Sequence, residues 1–243
     1  GAVTVAIYRS AESRKRSEPM RILIINPNSD PEMTAVIQAS AETFAGSDFE
    51  VVCELTPGAP LFIETYEDML QAAPGMIQML RKNEGAFDAF VIACHDDPNL
   101  EAMKEITHKP VMGIGEASMK MATMLGHRFS VVSTMSHSIP NKEAQVRRLH
   151  LEGMLASVKA PPEEMADASD EEKYLRAAQL ALEEDMAEVI VLGCAGMSGL
   201  DKRLSEEIGA PVLDGVVCAL IVATGLVKYG VSTSKVRRYN PVY

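Results

Sequence analysis

The chain has 243 residues, 47% of them apolar, enough for one large or two small domains with a packed core. It carries 23 Lys and Arg against 34 Asp and Glu, a net charge of −11, and that acidic balance speaks against nucleic acid as a partner. No apolar run reaches the roughly 18 residues of a membrane span, so no membrane role is expected.

Residues 1–19 include Arg9, Arg14, Lys15 and Arg16 but no long apolar stretch. They read as a leader outside the fold, not as a secretory signal. Strand 21–25 follows, then Asp30-Pro31-Glu32, which offers an N-cap, a proline at the first helical position and a first-turn acid for helix 31–45. Next come strand 49–55, helix 64–82 interrupted at Pro74 into two pieces, strand 87–93, helix 98–107 and strand 110–114. A second unit starts with helix 116–125, stopped by Gly126, then strand 127–133 and helix 140–152. Val158 falls in a short strand or loop. Ser169-Asp170-Glu171-Glu172 reads as a capping box opening a helix to about Met186. Strand 188–193, helix 198–208, strand 211–214 and helix 215–229 complete the order. The tail 228–243, with Lys235, Arg237 and Arg238, is expected to be an arm or disordered.

Strands that are apolar on both faces and alternate with helices indicate α/β layers with parallel sheets. The halves also match each other. Phe87–Cys94 and Ala187–Cys194 are both apolar runs ending in a thiol; Leu100 and Glu101 match Leu200 and Asp201. Lys109-Pro110-Val111-Met112-Gly113 matches Ala210-Pro211-Val212-Leu213-Asp214. We therefore expect two similar doubly wound parallel-sheet domains related by a pseudo-twofold, with the active site in the cleft between them. The expected boundaries are 20–115 plus 215–243 for the first domain and 116–214 for the second.

The paired cysteines are the strongest chemical signal. Ligands in open α/β sheets bind at the carboxyl ends of strands, where Cys94 and Cys194 both stand. A thiol has an ordinary pKa close to operating pH, suited to proton transfer, and a helix start favours its anion. Two acid/base groups on opposite faces of one carbon are what cofactor-free racemisation requires. The bland alternative is that both thiols are small buried hydrophobes, but their matched positions in a duplicated unit outweigh it. Cys53, inside a strand, and Cys218, inside a helix, keep the structural reading. Sparse cysteines without a CxxC pair indicate reduced thiols in a cytoplasmic protein. His95, His108, His127, His137 and His150 lack metal-ligand spacing, so no metal is expected.

The loop Asn26-Pro27-Asn28-Ser29 ends the first strand and can hold a carboxylate, imide or ureide through Asn26, Asn28 and Ser29; ordinary capping is the competing account. Ser133 and Thr134 end strand 127–133 and are candidate substrate contacts or turn formers. Ala195 and Gly196 beside Cys194 allow close approach of a ligand to backbone amides. His95 could poise the first thiol and Asp97 orient a polar group, while Asp96 or Asp97 could instead cap a helix from Pro98. Met76, Met79, Met119, Met121 and Met124 have spacings that fit packed helix faces.

Ile25–Ser29, Pro57-Gly58-Ala59-Pro60, Ile92–Pro98, Pro110–Ala117, Leu192–Met197 and Pro211–Val216 together resemble the aspartate/glutamate/hydantoin racemase superfamily, above all its hydantoin and allantoin racemase branch. The resemblance runs from about Arg21 to Tyr229. It implies a two-domain α/β fold, no cofactor, a homo-oligomer, and a two-thiol mechanism on Cys94 and Cys194 acting on a small five-membered cyclic ureide. Asn26, Asn28 and Ser29 match the family's substrate-binding loop. An allantoin racemase or an aspartate or glutamate racemase is the alternative within the superfamily, and a non-catalytic small-molecule binding protein the alternative of another class. One departure stands out. An aromatic residue and a glycine often follow the first cysteine of hydantoin racemases, and His95 and Asp96 stand there instead.

Overall fold

The computed structural model describes residues 19–241, and the expected leader, apart from Pro19, lies outside the described residues. The chain divides into two compact units. One runs up to Gly113 and resumes at Ala219; the other is Ile114–Cys218.

In the first unit the elements are β1 (Met20–Asn26), α1 (Pro31–Ala45), β2 (Phe49–Leu55), α2 (Tyr66–Asn83), β3 (Ala89–Ile92), α3 (Leu100–Ile106) and β4 (Val111–Gly113). The second contains α4 (Ile114–Leu125), β5 (Phe129–Val132), α5 (Ile139–Arg148), β6 (Leu155–Lys159), α6 (Asp170–Asp185), β7 (Val189–Leu192), α7 (Asp201–Ile208) and β8 (Val212–Leu213). Helix α8 (Gly215–Tyr229) begins in the second unit and ends in the first. Each unit has a four-stranded, all-parallel sheet, ordered β2-β1-β3-β4 in one and β6-β5-β7-β8 in the other. The two orders are the same topology, so the internal sequence match is a match of three-dimensional units.

The inner strands β1, β3, β5 and β7 are largely buried because helices cover both faces of each sheet. Every residue of β3 and of β7 is buried. In the second unit the alternation of a strand is explicit: Ile190 and Leu192 pack with Ala177, Ala178 and Ala181 of α6 and Leu204 of α7. Val189 and Val191 point the other way, to Met119 and Ala122 of α4 and Val146 of α5. In the first unit Leu23, Ile25, Phe90 and Ile92 pack with Met76, Met79 and Leu80 of α2 and with Leu100 and Met103 of α3. The methionines are core filler at Met76, Met79 and Met119, but Met124 is 75% exposed.

The capping signals act as read. Asp30 accepts from the Glu32 amide at 2.9 Å to open α1, and Ser169 and Glu172 form both bonds of a capping box at α6. Three expectations are corrected. Helix α2 is one helix, not two pieces, because Pro74 sits on its exposed face, where water can satisfy the freed carbonyl. Helix α5 stops at Arg148 rather than 152, since His150 takes a left-handed φ of 59°. The tail is anchored rather than free up to Pro241: Lys235 Nζ donates to the carbonyls of Lys104 and Glu105, at 2.6 and 2.9 Å, at the end of α3. No helix among the described residues is long and apolar enough to cross a membrane.

Candidate active site

In each sheet the chain reverses its direction of travel between two adjacent strands: β1 and β3 in one unit, β5 and β7 in the other. The carboxyl ends of such a strand pair form the crevice where open α/β sheets bind ligands. The sequence-predicted residues fall at these two places, and each unit is described in turn.

In the first unit Asn26 ends β1 and Cys94 stands two residues past β3. The Ala93 amide still donates to the Ile25 carbonyl, at 2.9 Å, so the thiol leaves the sheet in register with the end of β1. Asn26 and Asn28 are both buried, at 1% and 5% exposure. Asn26 Nδ2 donates to Asn28 Oδ1 at 2.7 Å and to Thr34 Oγ1 at 2.9 Å; Asn28 Oδ1 also accepts from the Asp30 amide at 3.0 Å. Thr56 closes the loop from β2's end, its hydroxyl donating to the Asn26 carbonyl at 2.7 Å and its amide to the Asn28 carbonyl at 2.9 Å. The two asparagines thus hold the loop's shape. Ser29 is half-buried, with its amide held by the Pro60 carbonyl at 3.0 Å. Sequence reasoning missed Thr34 and Thr56, which lie 8 and 30 residues from Asn26.

The Cys94 loop folds back on itself: the Asp97 amide donates to the Cys94 carbonyl at 2.9 Å. Cys94 is half-buried, His95 1% exposed and Asp97 7% exposed. A helix from Pro98 capped by Asp96 or Asp97 was the bland expectation, and it is corrected. Asp97 and Asn99 both have positive φ, 51° and 60°, so α3 starts only at Leu100, with no side-chain cap. Asp97 precedes a proline, which disfavours right-handed helical backbone. Asn99 instead anchors the loop to α2, its Nδ2 donating to the Met69 carbonyl at 2.8 Å.

In the second unit Ser133 follows β5 and Cys194 again stands two residues past its strand, β7. The Gly193 amide donates to the Val132 carbonyl at 2.7 Å, the counterpart of the Ala93 bond. Ser133 is buried; its hydroxyl bonds to that of Ser138, and Thr134 beside it is exposed. Cys194 caps a 3-10 turn, Ala195–Met197, and the Gly196 amide donates to its Sγ at 3.3 Å. That donor sits where negative charge resides in a thiolate. The turn also delays the following helix: α7 begins at Asp201 rather than 198. Ala195 is buried and Gly196 exposed.

Tyr174 of α6 is a further residue that sequence reasoning missed. It packs against the same apolar cluster as Cys194. Burial pushes its phenol up to about 12, with Asp170 and Cys194 adding to the rise, so it stands beside the thiol as a neutral hydroxyl. Only its position on the helix that precedes and covers β7 could have signalled it.

Cys53 and Cys218 behave as structural thiols. Burial pushes both from 9.0 up to about 12, with Glu54 adding at Cys53 and Asp214 and Asp201 at Cys218. In the unfolded chain each would ionise near its ordinary value, so the folded state holds protons that the unfolded state releases. Their contribution to stability is therefore full below pH 9 and is lost as pH rises from 9 towards 12. Urea denaturation between pH 8 and 11 checks this: the midpoint should fall with pH, and less steeply in a Cys53→Ala, Cys218→Ala double variant.

Known proteins agree with this architecture. The family model for Asp/Glu/Hydantoin racemase matches residues 22–223. The hydantoin racemase of Pseudomonas sp. (strain NS671) is 38% identical over 226 residues, covering 90% of this chain and 91% of that protein. The hydantoin racemase of Paenarthrobacter aurescens is 39% identical over 228 residues, covering 90% and 96%. Among solved structures, allantoin racemase from Klebsiella pneumoniae superimposes with a TM-score of 0.85 at 35% identity, covering 92% of this chain and 94% of that one. With its duplicated α/β units and a thiol at the same strand end of each, this chain belongs to the Asp/Glu/hydantoin racemase family and is an isomerase, a racemase.

Proposed function

We propose that this racemase acts on a 5-substituted hydantoin-type cyclic ureide, with Cys94 and Cys194 as its two acid/base groups. One, as thiolate, removes the proton on the carbon alpha to the ring carbonyl. The other, as thiol, returns a proton to the opposite face, and the roles exchange for the other enantiomer. The observation that carries this reading is that the two thiols occupy equivalent positions, two residues past β3 and two past β7. The names of the relatives at 38–39% identity support the substrate class.

A thiol near its ordinary pKa matches this task without a cofactor. The charge that develops on the enolate oxygen needs amide donors; each such donor contributes about 3–4 kcal/mol. In our reading the Asn26–Ser29 loop, His95 and Asp97 contact substrate in one unit, and Ser133, Thr134, Ala195 and Gly196 in the other. The protein would work as a cytoplasmic homo-oligomer. Allantoin, a hydantoin ring with a ureido substituent, is the second reading, favoured by the 0.85 TM-score to an allantoin racemase. An aspartate or glutamate racemase is disfavoured, because His95 and Ala195 stand where that branch is expected to carry Thr or Asn beside each cysteine. Membership of the racemase family displaces the binding-protein alternative.

Proton NMR in D₂O with enantiopure 5-substituted hydantoins, allantoin, aspartate and glutamate tests the proposal, alongside optical rotation. We expect loss of the alpha-proton signal and of rotation together with a cyclic ureide, above the rate without protein. Turnover of an amino acid alone would overturn the substrate assignment.

A further inference from the structure

The two thiol loops match in position but are backed differently. Beyond the Cys194 turn the chain passes through Ser198 and Gly199, the latter at φ 88°. Asp214, the residue after β8, is 3% exposed and turns its carboxylate onto this stretch. Its Oδ2 accepts from the Gly199 amide at 3.0 Å. Its Oδ1 accepts from the Ser198 hydroxyl at 3.2 Å and the Val216 amide at 2.8 Å. One buried carboxylate therefore ties the far end of the thiol loop to the first turn of α8. Buried polar groups must find partners, and here both carboxylate oxygens do.

In the other unit the residue matched to Asp214 is Gly113, which has no side chain to offer. The same corner is filled from the opposite direction. A Cβ on Gly113 would collide with the carboxylate of Asp97, from the Cys94 loop. Both units thus place a buried carboxylate between the thiol loop and the end of the fourth strand. It comes from the loop in one unit and from the strand end in the other. The two loops share their inner bond too: the Asp97 amide reaches the Cys94 carbonyl at 2.9 Å, and the Met197 amide the Cys194 carbonyl at 3.1 Å.

We infer that Asp214 is a positioning residue for Cys194: it holds the loop from Cys194 to Gly199 in place and affects proton transfer only through that thiol. The inference rests on the two-thiol reading above. In-line proton transfer needs the sulfur placed to within a fraction of an ångström, and a shift of about 1 Å costs on the order of 100-fold in rate. Asp214 accepts from the Gly199 amide, the Ser198 hydroxyl and the Val216 amide, so its role runs through the loop.

The test is Asp214→Asn, which keeps the shape but replaces one of the two acceptor oxygens that Gly199, Ser198 and Val216 share with an NH₂ donor. Racemisation of both enantiomers of a turned-over 5-substituted hydantoin is followed with alpha-protio and alpha-deuterio substrate. We expect kcat to fall about 10- to 100-fold, with KM changed less than about threefold. The decisive readout is an asymmetry. The alpha-deuterium isotope effect should rise for the enantiomer whose proton Cys194 removes and fall for the one whose proton Cys94 removes. Loss of folded protein cannot produce that divergence. Ser198→Ala, which removes one donor of three, should give the same divergence, a rise for one enantiomer and a fall for the other, at smaller size, and decides the matter if Asp214→Asn does not fold. Isotope effects unchanged or shifted equally for both enantiomers would overturn the inference. Full activity of Cys94→Ala or Cys194→Ala would instead overturn the two-thiol reading, so the two failures are separable.

Discussion

Cys94→Ala and Cys194→Ala should each abolish racemisation, with a loss of about 10²- to 10⁴-fold, the usual contribution of a positioned proton-transfer group. The losses should not add in the double variant, because inversion needs both groups in one turnover and either deletion already breaks the path. The more telling result lies in isotope exchange. With one thiol left, that thiol can still remove a proton from the face it meets and return a deuteron to the same face. Each single variant should therefore exchange the alpha proton of one enantiomer in D₂O without loss of optical rotation, and the two variants should choose opposite enantiomers. Both thiols are half-buried, so truncation to Ala leaves little cavity, and circular dichroism should report a folded protein. Full racemisation by either variant would refute the scheme.

Gly193→Ala should be damaging out of proportion to the one methyl group it adds. A Cβ at 193 would run into the Val132 carbonyl oxygen and sit 3.0 Å from Val131 Cγ1. The obstacle is backbone, held by the Gly193 amide bond to that same carbonyl, so no side chain can swing away. Overpacking of this kind costs about 1–3 kcal/mol, and the displaced residue is the one before Cys194. We expect a lower urea midpoint and a loss of activity per folded molecule of about 100-fold. Position 93 is the internal control. The first unit already carries alanine there, 2% exposed, so Ala93→Gly should cost only about 0.5–1 kcal/mol and leave catalysis near normal. Equal behaviour of the two variants would show that the close approach at Gly193 is not what constrains the loop.

The features legible in the sequence are those that depend on short stretches of chain. Strands β3 and β7 announced themselves as continuous apolar runs because both of their faces are covered. Asp30 and Ser169 were readable because a cap and its target lie two or three residues apart. Cys94 and Cys194 emerged from the internal match, in which each thiol ends an apolar run at the same place. The misses have a common physical cause. Thr56 joins Asn26 across 30 residues, and Lys235 reaches Lys104 across 131, so neither pairing leaves a local pattern. The left-handed turns at Asp97, Asn99 and His150 displaced helix boundaries that periodicity alone had set. Asp214 did leave a trace, as an acid where the matching half has Gly113, but its meaning depends on a carboxylate arriving from the other side.

The seams of the molecule run through regular structure. Gly113 closes β4 and Ile114 opens α4 with no residue between them, and the second boundary falls inside α8, after Cys218. The halves are therefore poor building blocks. A fragment ending at 113 would lack the stretch from Ala219 onward that completes its own unit, and a fragment of 114–218 would end in the first turn of a helix. Shuffling one half against that of a relative would have to exchange an inner segment while preserving a helix spliced from two parents. The two units are therefore to be engineered as one piece.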